Sequence, residues 1–131
     1  MATPFFGIPR KEFLHWIPHE QSYKMSQYKK FQQKISDCFK ELTTLGIICR
    51  HNYSISASCG VSEIINTYGT DINYIFYHGQ ENLRMKEGQK ECYLQHNISS
   101  EKVTKVLEIL RRYGSIWDGD NTKAIIIPAP E

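Results

Sequence analysis

The thiol of Cys59 has the most suggestive setting of any reactive group in the chain. It lies in the short run Ser56-Ala57-Ser58-Cys59-Gly60, directly before an apolar segment with helical spacing. Backbone N–H groups and the helix dipole at such a place stabilise a thiolate. A thiolate enzyme also needs a base, and His51, His78 and His96 fall on or beside expected strands. Spacing singles out none of the three as the partner of Cys59. An inert cysteine is the commoner outcome for an isolated thiol, and the same turn could hold a small anion on its free N–H groups.

Other chemistries lack a full set of groups. Zinc asks for about four ligands in recognisable pairs. The nearest grouping is Cys49-x-His51 with Cys59, and Pro18 interrupts His15 and His19, so no metal or other cofactor is expected. Asp118, Asp120 and Asn121 cluster as calcium ligands might, without the further oxygens and closing Glu of a calcium loop. Asp-Gly turn chemistry accounts for them. No phosphate-binding glycine loop, nucleophile elbow or paired-carboxylate motif is present.

Binding chemistry has three candidates. Lys29, Lys30, Lys34 and Lys40 could meet phosphates, with Asp37 and Glu41 interrupting the patch. Tyr74 and Phe76 resemble base-stacking rings of RNA-binding sheets, but the basic, glycine-rich surroundings are missing, so core packing is expected. The first 22 residues hold Pro4, Pro9 and Pro18 together with Phe5, Phe6, Phe13 and Trp16. So many aromatic groups do not suit a solvated tail. They suit an arm laid on its own domain, on a second copy or on a partner protein.

The elements that must position these residues read as follows. From Ser22 or Ser26 to Leu45, Tyr28, Phe31, Ile35, Cys38, Leu42 and Leu45 recur at steps of three and four, predicting a helix capped by Gly46. Ile47–Ile55 reads as a strand and Val61–Tyr68 as a short helix. Asn73–His78 reads as a strand, 79–90 as a polar loop, and Glu91–His96 as a strand. Val103, Val106, Leu107, Leu110 and Tyr113 mark a further helix. Ser115–Trp117 and Lys123–Ile127 form a hairpin about Asp118-Gly119. After the first helix the order is βαββαβ, which predicts an α+β, ferredoxin-like split βαβ with an antiparallel sheet. The long helix and the aromatic arm are additions to it. The expected organisation is an arm over 1–22 and one α+β domain over 23–131.

At 131 residues, 40 % hydrophobic and 23 % charged, the chain can bury a core without staples. No apolar run nears the roughly 18 residues of a membrane span, and no secretory leader is legible. The four cysteines are therefore expected as intracellular, reduced thiols. The net charge of +2 is too small to imply nucleic acid, although residues 1–50 carry eight basic against four acidic groups.

From Leu45 onward the chain resembles an uncharacterised bacterial family known only as a domain of unknown function. The resemblance is carried by Gly46-Ile47, Ser58-Cys59-Gly60 with Glu63, Tyr74-x-Phe76-Tyr77-His78-x-Gln80 and Trp117-Asp118-Gly119-Asp120. It implies an additional cysteine before the Ser-Cys-Gly step. Ser56 and Ala57 stand there instead, which argues against a metal or disulfide role for Cys59. The expected function is a non-catalytic binding or interaction module, by self-association or a protein partner through the arm. A thiol enzyme or small-ligand binder using Cys59 is the alternative. A nucleic-acid-associated, even virion, protein using the basic helix is the third.

Overall fold

A stripe repeating every three or four residues must face a core if the chain is helical. Phe31, Ile35, Cys38 and Leu42 do so, all close to fully buried. In the computed structural model, which describes residues 10–130 and side chains from Ser22 onward, this helix is α1, Arg10–Thr43. It starts well before the expected Ser22. Pro18 lies inside it, although an interior proline loses the hydrogen bond to the Leu14 carbonyl and crowds that carbonyl with its ring. Phe13 and Trp16 therefore fall on α1, their side chains outside those described, while Phe5 and Phe6 lie outside the described residues. The helix ends at Thr43, and the turn that follows closes on Gly46, whose φ of 85° suits glycine.

The remaining elements are β1 (Ile48–Arg50), α2 (Ala57–Tyr68), β2 (Tyr74–Phe76), α3 (Gly79–Lys86), β3 (Glu91–Asn97), α4 (Val103–Arg112) and β4 (Ile125–Pro128). With α1 they make, among the described residues, a mixed fold of four helices and one four-stranded sheet ordered β1-β2-β3-β4. β1 and β2 pair in parallel, Ile48 opposite Tyr74; β2–β3 and β3–β4 are antiparallel. The ferredoxin-like arrangement is thereby corrected. A split βαβ separates its parallel strands by another, whereas β1 and β2 are direct neighbours joined over α2. The closing hairpin is corrected too: β4 pairs with β3, and Ser115–Trp117 forms no strand.

Strand alternation divides the side chains between two faces. Ile47, Ile75, Tyr77, Cys92, Leu94, Ile125 and Ile127 meet α1, α4 and Met85 of α3 in the main core. Tyr74 and Phe76 point the other way, against Ile64 of α2. The α2 backbone presses so close that a Cβ on Gly60 would lie 2.5 Å from the Phe76 ring. Only glycine fits there without displacement. This second cluster draws on Ile48, Tyr53, Val61 and Ile72 and on no residue of β3 or β4. The outer face of that half of the sheet carries Tyr93, 40 % exposed, and its partner Ile126.

Candidate functional site

The histidines proposed as bases are each engaged by the fold. His51 shares a 2.8 Å hydrogen bond with the Tyr77 hydroxyl and packs on Phe39 of α1, on the face of the sheet opposite α2. Its ring remains partly open, while the crowding by Phe39 and Tyr77 lowers its pKa through desolvation. His78 is the N-cap of α3, its Nδ1 accepting the Glu81 N–H at 3.2 Å. That bond requires the neutral ring, and burial lowers the pKa in the same sense, against the opposing Glu81 carboxylate. His96 stands opposite Ile75 and edge-on to Trp117, ring centroids 4.9 Å apart. Among the described residues its buried Nε2 has no hydrogen-bond partner, and desolvation lowers its pKa.

Cys59 belongs to a different element, α2. It lies in the first turn of α2, where its N–H donates to the Ser56 cap at 3.3 Å. Its side chain is exposed in a shallow hollow lined by Ser54, Ile55, Ser58, Ser62 and Glu63. Among the described residues no hydrogen bond or ring contact joins it to an imidazole. The other thiols are further from reactivity: burial pushes Cys38 up to about 12 and Cys49 up to about 11, and raises Cys92 as well.

The remaining polar candidates are occupied by the fold. Glu81 is buried, one oxygen on Arg84 at 3.0 Å and the other accepting the Tyr93 N–H at 2.9 Å. It replaces β2 as the partner of β3 where β2 has ended. Asp118 is bridged to Lys123 at 3.1 Å, and Asp120 accepts the Thr122 N–H and hydroxyl. Asn121 exchanges two hydrogen bonds with the Ile98 backbone. Among the described residues no group of three or more His, Cys, Asp or Glu is placed to hold a metal. Of the basic candidates, Lys34 donates to the Pro128 carbonyl at 2.7 Å, while Lys29, Lys30 and Lys40 are exposed on α1. Tyr74 and Phe76 are buried under α2, so they offer no stacking platform.

The feature that sequence reasoning missed is an apolar patch at the β3–β4 edge of the sheet. Ile116 is 95 % exposed, and it lines a hollow of about 260 Å³ with Trp117, Asp118, Lys123, Ala124 and Ile126. Tyr93, opposite Ile126, continues the patch across the bare face. The only sequence signal was Ile116 itself, which reads as an ordinary strand residue beside Trp117.

Among the described residues no helix is long and apolar enough to cross a membrane. Neither the curated proteins nor the solved structures contain a match. One family model does match, over residues 18–130, and so takes in α1 from Pro18 as well as the stretch after Leu45 that carried the resemblance. The chain belongs to that family, described as a domain of unknown function (DUF6891).

Proposed function

We propose that this domain is a non-catalytic protein-interaction module that docks through the Tyr93–Ile126–Ile116 patch. The observation that carries the reading is the 95 % exposure of Ile116 beside two further apolar groups at the edge of the sheet. Apolar surface gathered in one place is removed from water by a partner, at about 25 cal/mol for each Å² covered. The contacts of the histidines favour the same reading, since each ring is engaged by the fold. Sedimentation velocity of the full chain over a range of concentrations is the test. Association is expected, and Ile116→Lys with Tyr93→Lys should return the chain to monomer with its circular dichroism intact. A chain equally associated with and without both lysines would remove the patch from consideration.

A second reading rests on Cys59, the one cysteine classed as exposed. It would make the hollow at the start of α2 a site for a thiol-reactive or small polar ligand. The absence of an imidazole contact weighs against acid–base catalysis there.

A further inference from the structure

The hydrogen-bond register of β4 shows which of its backbone groups have nothing to bind. The Ala129 N–H donates to the Lys90 carbonyl at 2.8 Å. In an antiparallel ladder bonded pairs alternate with unbonded ones, so Cys92–Ile127 and Leu94–Ile125 are the bonded pairs. Ile126 and Pro128 therefore turn their backbone groups away from β3, toward the free edge. Pro128 has no N–H, and its carbonyl accepts Lys34. At Ile126 both the N–H and the carbonyl are unpaired among the described residues, and this residue lines the hollow beside Ile116 and Trp117. A donor and an acceptor side by side on an edge are what an added strand pairs with.

The sequence offers a candidate for that added strand outside the described residues. Phe5-Phe6-Gly7-Ile8 lies between Pro4 and Pro9, carries no charged side chain, and matches the four residues of β4 in length. Proline at each end stops the pairing, and Ile8, preceding a proline, is biased toward extended backbone. The segment cannot reach the edge of its own molecule. Lys34 marks the level of Pro128, whereas Tyr23 and Lys24 lie beside Ala129 and Pro130, so Ile126 is on the side of Lys34 away from the start of α1. Arg10 is about 36 Å along the helix from Lys34. Phe5 is five links from Arg10, a reach of about 18 Å at most.

We propose that residues Phe5–Ile8 of one copy add as a fifth strand to the β4 edge of a second copy, pairing on Ile126. This rests on the interaction reading above and specifies the partner as the chain's own arm. Amide hydrogen exchange of Ile126, read by NMR in the full chain, tests it, with sedimentation on the same samples. The Ile127 amide, bonded within the sheet, is the internal reference. In the associated full chain the Ile126 amide should be protected. Phe6→Pro, which removes a donor from the arm and leaves the described domain untouched, should speed its exchange by about tenfold or more and shift the chain toward monomer. Protection that survives Phe6→Pro means another strand, such as β4 of the second copy, occupies the edge, and the arm is wrong. An associated chain whose Ile126 amide exchanges freely refutes strand addition while sparing the interaction reading. A monomer with a freely exchanging Ile126 overturns both.

Discussion

One face of the sheet is roofed by α1, α3 and α4 together, the other by α2 alone and only over β1 and β2. The first roof encloses most of the buried apolar side chains and the polar pair in which the Tyr28 hydroxyl donates to Asn82 at 2.6 Å. The second holds Ile64, Tyr74 and Phe76 and leaves Tyr93 to solvent. A domain of this size can be stable on one well-packed face. The bare half of the other face is then surface that stability does not require, and such surface is open to a binding role.

Adjacent residues on β4 offer the sharpest way to break that contrast. Ile127 points into the main core, fully buried, and Ile126 points to the bare face. Ile127→Ala should cost about 2–5 kcal/mol, the range for deleting a buried aliphatic group that leaves a cavity. Ile126→Ala should cost under about 1 kcal/mol, because little apolar area is lost there. Urea unfolding at low protein concentration measures both. Equal losses would mean that the two faces are packed alike and that the contrast is false.

Legibility in the sequence followed the same division. The α1 stripe from Tyr28 to Leu42 and the α4 stripe of Val106 and Leu110 were readable because a helix facing one large core repeats apolar residues every three or four positions. The burial of Tyr74, Phe76 and Trp117 was readable from their bulk. α3 was not, because its buried residues are Glu81, Asn82 and Met85, two of them polar, and a polar stretch reads as a loop. The strand order was hidden as well. Nothing local distinguishes a strand that pairs with its predecessor in parallel from one that pairs antiparallel, and three-residue strands carry almost no alternation. The start of α1 was misplaced through treating Pro18 as a stop. Cys59 was placed at the head of α2, and His51, His78 and His96 on or beside strands, as the structure has them. What was not readable is the packing of two of these rings, which depends on contacts across 26 residues in His51–Tyr77 and 21 in His96–Trp117, beyond any local pattern.

A smaller effect comes from acid. His78 and His96 have pKa values lowered by burial, so the folded chain binds fewer protons than the unfolded one near the ordinary imidazole value of about 6.5. Their contribution is complete above that value and is lost as pH falls through it toward the lowered folded values. The melting temperature should therefore fall between neutral and mildly acid solution. Asp118 and Asp120, whose pKa values are lowered by hydrogen bonds, lose their contributions only at more acid pH. His78→Asn keeps a side chain able to cap α3 and removes one titrating ring, so its melting curve should vary less over the same interval. An undiminished pH dependence in that variant would show that the cap does not titrate with folding.

The smallest effect is expected at the start of α2, where the second roof meets solvent. Cys59 is exposed, while Cys38 and Cys92 lie in the main core with thiol pKa values pushed upward, and Cys49 is raised to about 11 by burial. Iodoacetamide reacts with thiolates that it can reach, so brief treatment of the folded protein should add one carbamidomethyl group, at Cys59, by peptide mass analysis. The label projects into an open hollow and removes no core contact, so stability should change by no more than about 0.5 kcal/mol. Labelling of Cys38 or Cys92 at a similar rate would mean that the roof of α1 and α4 opens as readily as the surface. The main core would then lose its claim to carry the stability of the domain, and the freedom of the bare face to serve a partner would go with it.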